Sequence, residues 1–195
     1  MDFLVLLILL AVVMLFYVLG TYNKFVTIKT RIKAAIQELG NQLKRQSELI
    51  PNLVSSVKGY MKHEKEVLEM ITDARRAIGE ALKSKNPQKM VDASAAVQEA
   101  LRPIRAVFES TPQLQAAGPT GQLMEELRDT ADKLMYSRRT LIDLTADYNV
   151  MTVTFPSNLI AKVFNFKQEE GLKTPMSGEH LEVSSTEIKT PKVDL

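Results

Sequence analysis

Seventeen consecutive residues near the N-terminus, Phe3 to Leu19, read FLVLLILLAVVMLFYVL, with neither a charge nor a helix breaker. As a helix they extend about 25 Å, a little short of a hydrocarbon core near 30 Å. Met1 and Gly20-Thr21-Tyr22 can make up the difference. A soluble core could hold such a cylinder only by surrounding it with protein. A cleaved signal peptide would begin with basic residues and close on a small-residue site. Here Asp2 stands at the basic position, and Gly20 alone resembles a processing site. The expectation is a retained transmembrane anchor over residues 1–21.

The flanks orient it. No Lys or Arg precedes the apolar run, whereas Lys24, Lys29, Arg31 and Lys33 follow before the first acid, Glu38. The positive-inside bias places the N-terminus outside and the rest in the cytoplasm, with Tyr17 and Tyr22 at the lipid–water boundary. Localisation to the cytoplasmic membrane as a single-pass protein follows.

Beyond Tyr22 the periodicity is helical almost throughout. Val26, Ile28, Ile32, Ala35, Ile36, Leu39 and Leu43 form a first stripe. Pro51 is expected to interrupt it and open a second helix, striped by Leu53, Val54, Val57, Met61, Leu68, Ile71, Ala74, Ile78 and Leu82. Lys83 to Asn86 reads as a turn, with Pro87 opening a third helix marked by Met90, Val97, Leu101, Ile104 and Phe108. Pro103 should kink or split that helix. Residues 110–121, STPQLQAAGPTG, read as a loop. Leu123, Leu127, Ala131, Leu134, Leu141, Tyr148 and Phe155 then mark one long helix stopped by Pro156, and AKVFNF at 161–166 is an apolar closing piece. The pattern predicts an all-α chain: a transmembrane helix continuous with the first helix of an antiparallel, up-and-down four-helix bundle over residues 22–166. Residues 167–195 are polar and expected to be disordered.

Charge is spread unevenly. Residues 20–166 hold 21 Lys and Arg against 16 Asp and Glu, and residues 167–195 hold 4 against 6. Neither part concentrates positive charge as nucleic-acid binders do. The chain has no cysteine, which removes disulfides, thiolate nucleophiles and cysteine-based zinc sites.

Residues 43–64, LKRQSELIPNLVSSVKGYMKHE, resemble the LemA family of bacterial membrane proteins. The resemblance lies in the basic pair Lys44-Arg45, the run Glu48 to Val54, Val57 to Tyr60, and His63-Glu64, supported by Tyr22-Asn23 and Ala74-Arg75. A second signature stands at residues 147–166, DYNVMTVTFPSNLIAKVFNF. The resemblance implies a four-helix bundle and carries no assigned activity. Where the family has an aromatic-Tyr-Asn run after an arginine, Arg138 is followed here by Arg139, Thr140 and Leu141.

Polar residues on apolar stripes are the candidate site: Glu64, Arg75 and Arg138 pairing across helices, with Tyr136, Tyr148 and Asn149 as further members. Buried ions need partners, since desolvation costs several kcal/mol each. A di-iron centre needs Glu-x-x-His on two helices. Neither His63 nor His180 has Glu three residues before it, and no phosphate-binding G-x-x-x-x-G-K-[ST] loop occurs. The expectation is a non-enzymatic scaffold or adaptor without metal or cofactor, whose partners are the lipid bilayer, other membrane or cytoplasmic proteins and further copies of itself. The competing reading is a ligand-binding sensor regulating a membrane protease or transporter, with its pocket at Glu64, Arg75 and Arg138.

Overall fold

A computed structural model describes residues 2–61, 64–116 and 118–173, with Asp2 and Glu64 described by backbone alone. It is all-helical, with no strand among the described residues. The first helix, α1, runs from Asp2 to Val57 without a break. At about 1.5 Å per residue its 56 residues extend about 84 Å. Residues 3–17 are exposed all round, and Phe25 is the first fully buried side chain. The apolar run and the spine of the helical domain are therefore one element.

From Phe25 the buried positions of α1 are Ile28, Ile32, Ala35, Leu39, Leu43, Gln46, Ile50, Leu53, Val54 and Val57, a largely three-and-four spacing that keeps one stripe inward. Phe25 replaces the expected Val26, which is 41% exposed. Pro51 does not end the helix. It deprives the Ser47 carbonyl of its intrahelical partner, a defect costing about 3 kcal/mol in a helix interior. Ile50 and Leu53, both fully buried, hold the register across it. The break comes instead at a 3-10 turn, Lys58–Tyr60, followed by extended Met61. Leu53, Val54 and Val57 thus belong to α1.

Helix α2 spans Glu64–Ser84 and α3 spans Pro87–Ser110. The turn between them forms as its residues dictate: the Asn86 side chain accepts from the Lys89 amide at 3.2 Å, and Pro87 occupies the first helical turn. Pro103 leaves α3 a single element, flanked by buried Ala100, Leu101 and Ile104. The stretch read as a loop is largely helical. After a break at Thr111 comes α4, Pro112–Ala116, which buries Leu114, and α5 begins at Gly118 and runs to Val153. A final short helix, α6, covers Ser157–Val163.

α1 packs along α5, α2 along α3, and α1 also meets α3 and α2. α1 and α5 are antiparallel, since Phe25 meets Tyr148 at one end and Arg45 meets Glu126 at the other. The buried face of α5 repeats the three-and-four spacing through Leu127, Thr130, Leu134, Ser137, Leu141, Leu144 and Tyr148. Its small hydroxyl residues bond to their own helix: Thr130 Oγ1 donates to the Leu127 carbonyl at 2.8 Å, and Ser137 Oγ to that of Lys133 at 2.9 Å. They enter the core already satisfied.

Gln46 does not. It is fully buried on α1, and neither of its amide atoms has a hydrogen-bond partner. Leaving a buried polar group unpaired costs about 1–3 kcal/mol. Gln46→Met, which keeps length and removes the amide, should therefore raise the unfolding free energy of the full chain in detergent by about 1–3 kcal/mol. Chemical denaturation followed by far-UV circular dichroism measures this; a lowered midpoint would mean that the amide is stabilising.

Candidate functional site

The most elaborated part of the molecule lies where the apolar run enters the helical domain. Antiparallel packing brings Tyr148 of α5 to Phe25 of α1, edge to face at 5.6 Å between ring centroids. The chain turns at Thr154 to Pro156, where the Phe155–Pro156 peptide is cis, and α6 carries it back along α1. At the end of α6, Asn165 takes a left-handed conformation, φ 57°, which asparagine tolerates better than most residues. The Phe166 amide then donates to the Ala161 carbonyl at 2.8 Å and the Asn165 amide to that of Lys162 at 3.4 Å, a Schellman termination. This reversal aims two rings at α1. Phe166 stacks on Phe25 at 4.7 Å, and Phe164 lies 4.9 Å from Tyr22. Five aromatic rings from three segments form a collar around α1. Such pairs contribute about 0.5–1.5 kcal/mol each beyond area burial.

A polar latch sits beside the collar. Lys29 Nζ contacts Glu169 Oε1 at 2.8 Å and stands 5.9 Å from the centre of the Tyr148 ring. Asn149 engages the backbone of the same glutamate twice: its Nδ2 donates to the Glu169 carbonyl and its Oδ1 accepts from the Glu169 amide, both at 2.9 Å. Farther on, the Lys173 amide donates to Gln88 Oε1 at 2.9 Å. Residues 167–173, drawn from sequence into a disordered tail, run along the domain; the remainder of that tail, 174–195, lies outside the described residues.

The hydrogen bond to Glu169 raises the Lys29 pKa above its ordinary value, against a lowering by burial. Burial raises the Tyr148 phenol, partly offset by Lys29. Both groups hold their protons more tightly in the folded chain. Their contribution is complete below the ordinary values of 10.5 and 10.0 and fades as pH rises through the folded ones. The Lys29 side chain is 41% exposed, so solvent screens most of its share.

The predicted site residues are dispersed. Tyr148 is fully buried in the collar, its hydroxyl without a partner, and Asn149 is half-buried in the latch. Arg75 is exposed on α2, where Ile71, Ala74 and Ile78 take the inward positions, a correction to its expected burial. Tyr136 is 74% exposed, a second correction; the inward position there belongs to Ser137. Arg138 is half-buried on α5, and α2 and α5 are not a packed pair, so Arg75 and Arg138 are not partners. Glu64 opens α2, with its side chain outside the described residues. Of the boundary residues, Tyr22 joins the collar and Lys29 the latch, while Tyr17, Lys24, Arg31 and Lys33 are exposed. Sequence reasoning missed Phe25, Phe164, Phe166 and Glu169. The Phe-Asn-Phe spacing was the available signal for the rings, since asparagine favours a left-handed reversal. Glu169 carried none.

A separate cleft of about 750 Å³ lies between α3 and α5. Arg105, Glu109, Glu125, Arg128 and Asp132 line it, and Arg105 bonds to Gln98 at its edge. Among the described residues no three His, Asp or Glu side chains converge as metal ligands would.

An all-helical chain with one long, apolar N-terminal helix, long and apolar enough to cross a membrane, defines the class. The LemA family model matches residues 35–185, and the chain belongs to the LemA family. It is also 23% identical to the magnetosome protein MamQ of Magnetospirillum gryphiswaldense, over 88% of this chain and 70% of that protein. The family match runs past the latch at Glu169.

Asn149→Ala removes both bonds to the Glu169 backbone. Limited proteolysis of the full chain should then cut within residues 167–173 several-fold faster, with global melting little changed. An unaltered cleavage pattern would show that the latch does not hold this segment. Tyr148→Phe keeps the ring contacts and removes the unpartnered buried hydroxyl. It should not lower the melting temperature at neutral pH, and it should reduce the loss of stability above about pH 10.

Proposed function

We propose that this protein is a membrane-anchored helical scaffold, without catalytic activity, that organises partner proteins or the membrane itself. In this reading residues 3–19 span the cytoplasmic membrane with the N-terminus outside, and α1, α2, α3 and α5 close into an antiparallel, up-and-down four-helix bundle in the cytoplasm. The observation that carries it is the unbroken passage of α1 from an apolar cylinder into the core of the domain. Lys24, Arg31 and Lys33, exposed beyond the apolar run, support the orientation. The exposed Met135 and Tyr136 on α5 offer a contact surface for a partner or a second copy.

Neither relationship to known proteins supplies a reaction, and the name of the magnetosome relative carries a location only. A ligand-binding regulator of a membrane protease or transporter is the second reading. It would have to use the cleft between α3 and α5, because Arg75 and Arg138 do not form its pocket.

The full chain should remain in the membrane fraction after alkaline carbonate washing, and deletion of residues 3–19 should release it. A photocrosslinker in place of Tyr136, in cells, should capture other proteins. Adducts with the protein itself alone would make self-assembly the role, and a lack of any adduct at this and other exposed positions of α5 would sink the scaffold reading.

A further inference from the structure

The turn between α5 and α6 is a second apolar element at the level of the apolar run. Val153, Phe155, Leu159 and Val163 are 59%, 79%, 53% and 78% exposed, and no charge occurs from Tyr148 to Ala161. Isolated exposed apolar residues need no explanation, but a contiguous group of them does. Of these, Phe155, Leu159 and Val163 face Val13, Met14 and Tyr17 of α1 across a groove of about 550 Å³ that presents no polar surface. Val13 lies six residues inside the end of the apolar run at Leu19, about 9 Å along the helix axis.

The turn also meets part of its own hydrogen-bonding demand. The Thr154 amide donates to the Val150 carbonyl at 3.0 Å, that of Asn158 to Thr154 at 2.8 Å and that of Leu159 to Pro156 at 3.2 Å, while Pro156 has no amide hydrogen. Its hydroxyls fold back as well: Thr152 Oγ1 onto the Asn149 carbonyl, Thr154 Oγ1 onto Val150 and Ser157 Oγ onto Met151. Asn158 Oδ1 is left without a partner, but it is buried in the protein rather than turned outward. Backbone groups bonded within the chain cost less to bring against hydrocarbon than free ones. At the returning end of α6, exposed Lys162 can extend its ammonium toward headgroups while its stem stays apolar.

We propose that the α5–α6 turn is a membrane-inserted wedge, its occupant the acyl chains of the leaflet that adjoins the helical domain. The inference rests on the reading of residues 3–19 as a membrane span. The ground for choosing lipid is continuity, since one wall of the groove is the apolar run itself. A bilayer crossed by residues 3–19 therefore surrounds Phe155 and Leu159 at the same depth.

The chain has no cysteine, so single-cysteine labelling of the full protein is direct. Leu159→Cys, Leu10→Cys and Asp73→Cys would each carry an environment-sensitive fluorophore, in vesicles of phosphatidylcholine with one-third phosphatidylglycerol. Quenching is read from iodide in the water and from lipids spin-labelled shallow or deep in the chain. The label at residue 159 should be quenched several-fold more by shallow than by deep spin label, and several-fold less by iodide than the label at residue 73. The label at residue 10 should respond to the deep probe. Lipid quenching at residue 10 with iodide access at 159 equal to that at 73 overturns the wedge and leaves the anchor standing. Loss of lipid quenching at both positions overturns the two together. Shielding of residue 159 from iodide without lipid quenching would mean that protein covers it, and overturns the proposal in favour of a second copy. A further variant guards against disturbance by the label. Phe155→Asp should leave circular dichroism unchanged and cut the shallow quenching at residue 159 several-fold, and unchanged quenching would overturn the wedge.

Discussion

A helix that is apolar on every face at one end and along a single stripe at the other imposes its geometry on everything attached to it. α1 has no charged position on any face through residues 3–19, then narrows to a single inward stripe from Phe25 onward. Apolar surface on all sides suits hydrocarbon, and a stripe suits a protein core. The transition occupies little more than a turn, so the domain must begin abruptly. The collar of Tyr22, Phe25, Tyr148, Phe164 and Phe166 provides that beginning, with amphipathic tyrosine rings among purely apolar ones. The remaining elements follow from α1: α5, 36 residues long, accompanies its buried part, and α6 returns the chain to the point of entry.

The latch completes this end of the domain by a different kind of contact. Asn149 treats the Glu169 backbone as a strand would, with one donor and one acceptor, although the chain forms no sheet among the described residues. An amide side chain is suited to this because it holds both groups in one plane. The collar is apolar and its geometry adaptable, whereas the latch is directional, and together they fix the position of a segment too polar to be held by burial.

Much of the architecture was legible, and its errors have a common origin. The periodicity of α1, α3 and α5 and the Asn86-Pro87 helix start are local signals. They sufficed to name an all-helical chain with a long apolar helix at its start. The local penalty of proline predicts a helix end at Pro51 and a kink or split at Pro103, yet α1 continues through the first and α3 is not split at the second, with Ile50, Leu53 and Ile104 buried beside them. The loop around Leu114 was read from composition, but one buried leucine docks it as a short helix. The site was less legible. Charged residues near an apolar stripe invited pairing, yet one step along a helix rotates a side chain by about 100°, which carries Arg75 and Tyr136 outward. Contacts such as Lys29 with Glu169 join residues far apart in sequence, and no short pattern announces them.

The continuity of α1 has a mechanical consequence. From Phe25 to Val57 the helix extends about 50 Å from the collar. Apolar segments tilt to match the thickness of the bilayer around them. Carried along one continuous helix, a tilt of about 10° swings the far end of α1 through about 9 Å, a displacement close to the spacing of two packed helices. On the proposed reading of residues 3–19 as a membrane span, the chain is a lever whose short arm lies in lipid, and small changes in membrane thickness become large lateral excursions at the 3-10 turn of Lys58–Tyr60.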